Sequence, residues 1–128
     1  MAYYVAHLTN AGGSPARKVN RITKFVVHRV HVPKETIDQE FIAFERDVAK
    51  MPFGENDIGV GQSAETERTL ITGLSFQEML DIQAGTKALY VFMIVKYQDE
   101  NHPLLMSKAC LSYSRNIPMS CDAHNEVP

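Results

Sequence analysis

One segment constrains this chain more than any other. In residues 87–98, KALYVFMIVKYQ, a period of two puts Leu89, Val91, Met93, Val95 and Tyr97 on one face of a strand and Ala88, Tyr90, Phe92 and Ile94 on the other. Both faces are apolar, so the strand belongs in the interior with a layer on each side. The polar run Gln98-Asp99-Glu100-Asn101-His102-Pro103 then reverses the chain, and residues 104–113 return as an antiparallel partner. At 128 residues the chain suffices for one such core and is short for two, so residues 1–128 read as a single domain.

Upstream, Ile37, Phe41, Phe44, Val48 and Met51 are spaced as the buried stripe of a helix over residues 36–51. Thr36 with Gln39 fits a capping box at its start, and Pro52 and Gly54 end it. Phe41, Phe44 and Met51 could line a pocket, but core packing asks for the same spacing. Ser75 and Glu78 form a second capping box ahead of a short helix with Phe76, Met79, Leu80 and Ile82, closed by Gly85. Residues 3–8 read as a short strand, residues 58–60 as a brief one and residues 67–72 as another.

Residues 9–15, TNAGGSP, are a cluster of turn formers in which Gly12 or Gly13 can take positive φ. The extended stretch that follows, to about Val32, is too long for one regular strand and predicts a bend or bulge. It is also basic: residues 17–34 carry six of the thirteen Lys and Arg and no acid, which leaves the rest of the chain strongly acidic within a net charge of −2. Anionic lipid headgroups or an acidic partner would suit Arg17, Lys18, Arg21, Lys24 and Arg29. The alternation splits these charges between two faces unless a bulge switches parity. The near-neutral total and the lone aromatic, Phe25, argue against a dedicated nucleic-acid binder. A solvated strand whose lysines discourage edge-to-edge association explains the pattern equally.

Cys110, Cys121 and His124 are the residues with most chemistry. They could contribute to a zinc site, with a fourth ligand such as His102 or His7 from elsewhere, or form a thiol–imidazole pair for hydrolysis. They could equally be two buried thiols, or one disulfide tying the tail, residues 114–128, to the last strand. Carboxylate pairs such as Glu65 with Glu67 and Asp99 with Glu100 read as solvated surface. No phosphate loop, dinucleotide fingerprint, HExxH or GxSxG occurs, no cofactor is implied, and the apolar runs are far below the roughly 20 residues of a membrane span.

Two stretches together resemble a known pattern. Asn10-Ala11-Gly12-Gly13-Ser14-Pro15-Ala16-Arg17-Lys18-Val19 is similar to the Asn-x-Gly-x-x-Pro-Ala-x-x-Val turn of small immunoglobulin-like domains in uncharacterised, membrane-anchored bacterial proteins. Leu89-Tyr90-Val91, Tyr97-x-Asp99, Cys110 and Cys121-Asp122-Ala123-His124-Asn125 are similar in order and spacing to that family's closing hairpin and tail. Met93 stands where a glycine is expected, Asn101-His102 where an aromatic-glycine turn is, and the helix over residues 36–51 has no counterpart. The anchoring helices that normally precede such a domain are absent ahead of Met1, which reads as an excised soluble portion or an unanchored relative.

The resemblance implies an immunoglobulin-like antiparallel β-sandwich presented at a bacterial membrane, and it brings no catalytic or binding residues. The combined expectation is a mainly-β domain of six or seven strands in two sheets, with a helix inserted after the second strand and a shorter one before the final hairpin. Its expected role is that of a non-catalytic interaction module for a protein partner. The alternative is a thiol- or zinc-dependent hydrolase using Cys110 or Cys121 with His124.

Overall fold

The computed structural model describes residues 3–4, 7–65, 69–71 and 73–128, with side chains for all of these except 3, 4, 65, 69 and 70. The elements run β1 (Tyr3–Tyr4), β2 (His7–Thr9), β3 (Ala16–Arg29), α1 (Lys34–Ala49), β4 (Asn56–Ile58), β5 (Ser63–Glu65), β6 (Thr69–Leu70), α2 (Phe76–Ala84), β7 (Lys87–Gln98), β8 (Leu105–Ser114) and β9 (Ile117–Ser120). The fold is strand-rich and antiparallel, with two helices.

The doubly apolar β7 sits in the middle of a five-stranded sheet of order β4-β3-β7-β8-β9. Its register with β3 is unbroken from Asn20↔Lys96 to Arg29↔Lys87, and with β8 from Leu89↔Tyr113 to Tyr97↔Leu105. On one face Phe92, Ile94 and Cys110 pack under Ile37, Phe41, Phe44 and Val48 of α1, with Ile22 and Val26 from β3 beside them. On the other, Leu89 and Val91 pack with Ile82 of α2, Phe25, Val27, Ile71 and Leu74. Two further pairs, β1–β6 and β2–β5, are each two-stranded and antiparallel. The β2–β5 end lies over this second face, since Leu8 and Thr9 share a cavity with Met93 and Val95.

The long basic strand does contain a bulge. Between the pairs Arg17↔Gln98 and Asn20↔Lys96, two residues of β3 oppose one of β7, and the same displacement appears against β4. Lys18 is the extra residue, with φ 53°, its amide donating to Asp57 Oδ1 at 3.0 Å. Gly54 lies against this bulge so closely that a Cβ there would collide with the Val19 carbonyl.

Several local expectations change. α1 begins at Lys34, preceded by Pro33, and has no side-chain cap, so Thr36 is inside the helix and makes no capping box; Met51 falls outside it and is exposed. Proline at the boundary presets the entry angle without needing a hydroxyl. The Ser75–Glu78 capping box and the left-handed Gly85 are present in α2, but Phe76 and Leu80 face outward and only Ile82 is buried. The brief strand expected at residues 58–60 lies at Asn56–Ile58. The strand expected over residues 67–72 is described at Thr69–Leu70 and does not include Ile71, and that over residues 3–8 is described at Tyr3–Tyr4 and from His7; residues 5, 6, 67, 68 and 72 lie outside the described ones.

Neither Gly12 nor Gly13 takes a positive φ. Asn10 organises that turn instead: its side-chain amide donates to the Ser14 and Ile58 carbonyls, both at 2.9 Å, and its Oδ1 accepts from the Gly12 amide. The polar tail is also far from loose. Arg115 and Asn116, both at positive φ, make the two-residue reversal from β8 into β9, a hairpin type that usually draws glycine.

Candidate functional site

Cys110 and Cys121 are joined in a disulfide, with Cα atoms 5.4 Å apart and Cys110 fully buried. Closing a loop of this length is worth about 3 kcal/mol through the unfolded state. The neighbouring residues add to the same anchor. The Asn125 Oδ1 accepts from the Cys110 amide at 3.0 Å while its Nδ2 donates to the Cys110 and Cys121 carbonyls. His124, in the left-handed region at φ 68°, stacks on Phe41 with ring centroids 4.4 Å apart and places Nε2 2.8 Å from Asp38 Oδ1. Glu126 exchanges backbone hydrogen bonds with Lys108. The structure thus gathers Cys110, Cys121 and His124, but around packing. With the sulfurs bonded to each other there is no thiolate to attack a carbonyl or ligate zinc, and no group of three metal-ligating side chains occurs among the described residues.

The same economy holds along α1. Three of its carboxylates reach three other segments: Asp38 to His124 of the tail, Glu40 to His28 of β3 at 2.9 Å, and Glu45 to Lys108 of β8 at 2.6 Å. The hydrogen bond that Lys108 donates to Glu45 raises the Lys108 pKa above its ordinary value against a smaller opposing effect of burial, and the charges of Glu45 and Glu126 add to the rise. At the C-terminal end, Lys96 projects from the buried face of β7 and donates to the Val48, Ala49 and Met51 carbonyls at 3.4, 3.1 and 2.6 Å, with Phe53 4.7 Å beneath the ammonium. A cation is thereby set against the negative end of the helix dipole and its orphan carbonyls. Lys96 interrupts an otherwise apolar run, and that interruption was the available signal; the distant partners carried none.

The basic strand spreads its charge. The bulge at Lys18 puts Arg17, opposite Gln98, on the α1 side together with Lys24, opposite Phe92. Arg21, opposite Val95, and Arg29, opposite Lys87, remain on the other side. Arg17, Lys18, Lys24 and Arg29 are exposed, and Arg21 is half-buried.

Between β2 and the second face of the sheet lies a partly open cavity of about 560 Å³, lined mainly by apolar groups, among them Leu8, Met93, Val95, Leu105 and Ala109, with Asp99 and His102 also on its wall. It is on the opposite side of the sheet from the disulfide. In the loop beside it, the Asn101 amide and then His102 hold the Asp99 carboxyl below the ordinary carboxylate range, outweighing partial desolvation. Of the carboxylate pairs noted in the sequence, Asp99 is a turn organiser, Glu100 is exposed, and Glu67 lies outside the described residues. No helix of the described residues is long and apolar enough to cross a membrane.

No protein-family model, curated protein or solved structure matches the chain.

Proposed function

We propose that this protein is a non-catalytic interaction module that engages a protein partner and is presented at a bacterial membrane. The observation that carries the reading is the Cys110–Cys121 disulfide with His124 and Asn125 around it: the residues best suited to chemistry are bound to one another and to the core. A buried disulfide also favours the oxidising side of such a membrane. The immunoglobulin-like kinship suggested by the two end motifs belongs to this proposal. What supports it is the antiparallel, strand-rich build and the β2–β5 pair set over the second face of the main sheet, the place a second layer would take. Against a literal two-sheet sandwich stands α1, which covers the first face.

Thiol titration of the native protein, before and after reduction under denaturing conditions, tests the reading. No reactive thiol before and two after is the expected result. Two reactive thiols in the native protein would return Cys110 or Cys121 with His124 to candidacy as a hydrolytic or zinc site. Contact of Arg17, Lys18, Arg21, Lys24 and Arg29 with anionic lipid headgroups is the competing binding mode. It requires salt-sensitive attachment to anionic vesicles that is lost in Arg21→Glu/Lys24→Glu.

A further inference from the structure

The cavity on the second face of the central sheet has a regular floor and a fastened roof. Three cross-strand pairs of β7 and β8 make the floor: Met93 with Ala109, Val95 with Ser107 and Tyr97 with Leu105. From Met93 to Tyr97 it runs about 14 Å at strand spacing. Leu8 of β2 and the turn after it form the opposite wall, and Asn10 ties that turn to the Ser14 and Ile58 carbonyls at 2.9 Å. A volume of about 560 Å³ between such walls is that of a small-molecule cleft, in which an apolar lining is joined by a few polar groups that fix orientation.

Those polar groups are in place and little used. Two acids line the cavity: Glu126 has the Lys108 ammonium 3.5 Å away, whereas Asp99 has no Lys or Arg partner among the described residues. The Asp99 Oδ1 accepts from the Asn101 amide at 2.9 Å, the His102 amide at 2.7 Å and His102 Nδ1 at 2.9 Å, while its Oδ2 accepts from no described residue. The same donors hold the carboxyl below the ordinary carboxylate range, so it is charged at neutral pH. Nor do the Tyr97 and Ser107 hydroxyls hydrogen-bond to any described residue. Of the cationic or titratable groups nearby, Lys108 is drawn to Glu45 on the α1 side, His102 is engaged by Asp99, and His7 is exposed. Arg21 opposes Val95 from β3 and does not line the cavity.

We propose that this cavity binds an elongated small molecule with an apolar body and a protonated amine at one end, the body lying along Met93, Val95 and Leu105 and the amine meeting Asp99. Charge selects the ligand. A carboxylate head would set two anions together, and an alcohol would forgo the ion pair. Tyr97, two residues before Asp99 on the same floor, offers its hydroxyl oxygen as a further acceptor for the ammonium. Such a site goes beyond the interaction-module reading and lies across the sheet from the disulfide.

Methionines labelled at their methyl groups report on the site by NMR, because Met93 is on its floor while Met106 packs with the α1 side of the sheet. The disulfide-bonded protein is titrated at neutral pH with decylamine, decanol and decanoate, each below its micelle concentration. Decylamine should shift the Met93 resonance and leave that of Met106 in place, binding about tenfold more tightly than decanol, with decanoate weaker still. Asp99→Asn keeps the Oδ1 acceptor for the loop and removes the charge. It should bring decylamine down to the level of decanol and leave decanol binding as it was. Ala109→Leu, which fills the floor opposite Met93 and is checked for an unchanged circular dichroism spectrum, should weaken all three. A decylamine titration that leaves Met93 unmoved overturns the site, and so does an equal movement of Met106. Equal affinities for the three head groups, or an amine advantage that survives Asp99→Asn, overturn the part given to the carboxylate. None of these results depends on the state of the thiols, so this test and the thiol titration fail separately.

Discussion

The two faces of β7 differ in how they are held. Under α1, Phe92 and Ile94 are fully buried, Phe92 has the rings of Phe41 and Phe44 against it at 5.1 and 6.2 Å, and three carboxylates of the helix are tied to other segments. On the far side Leu89 and Val91 are buried beneath α2, but Met93 and Val95 border an open cavity. One strand thus has a locked face and a roomy one. The difference teaches that apolar alternation specifies burial on both sides, while the degree of closure depends on what the covering segments contribute.

The largest test of that contrast is truncation on each side. Phe92→Ala should lower stability by about 3 to 5 kcal/mol, as removal of a fully packed ring does, whereas Met93→Ala next door should cost about 1 kcal/mol because its surroundings are already open. Urea unfolding of both variants measures this, and equal losses would erase the distinction. Next in size, Cys110→Ala/Cys121→Ala should cost about 3 kcal/mol and should speed amide exchange in β9 and at Glu126 before it affects the cavity side. Exchange rising evenly on both faces would mean that the disulfide braces the whole sheet.

Lys96→Met keeps most of the packing and removes the cation at the end of α1, and a loss of about 1 to 2 kcal/mol with fraying of the last helical turn is expected. Unchanged helix protection in exchange measurements would show that solvent satisfies those carbonyls. A smaller effect belongs to alkaline pH. Because the Lys108 pKa is raised in the folded protein, the Lys108–Glu45 contribution is fully present below the ordinary lysine value of 10.5 and is lost as pH climbs through the raised one. Glu45→Gln should flatten that alkaline decline in urea midpoints, and an unaltered decline would assign it to other groups. Smallest of all, Gly13→Ala beside the cavity should stay within about 0.5 kcal/mol, since an added Cβ meets nothing within 4 Å and the backbone does not need glycine there.

What could be read from the sequence was what short-range pattern encodes. The period of two in β7, the stripe of Ile37, Phe41, Phe44 and Val48, the Ser75–Glu78 cap with Gly85, and the polar loop before β8 all appear in the structure. Even so, pattern marked a stripe without fixing its ends. Pro33 rather than Thr36 opens α1, and Phe76 lies on the exposed side of α2. The β8–β9 reversal escaped because its positive-φ residues are Arg115 and Asn116, with no glycine to mark them. The tail escaped for a different reason. His124 meets Asp38 across 86 positions and Asn125 meets Cys110 across 15, and only tertiary structure brings such pairs together. As for the site, the residue types were visible and a Cys110–Cys121 disulfide stood among their alternatives, but spacing alone did not choose it over free thiols or a metal site.

The bond between Cys110 and Cys121 encloses the exposed reversal at Arg115 and Asn116 inside a covalent ring. A trypsin-like cut after Arg115 therefore opens the backbone without parting the molecule: the nicked chain should run as one species on a gel until a reductant releases a short C-terminal fragment. Whatever surface this protein presents would survive such clipping, provided its surroundings keep sulfur oxidised.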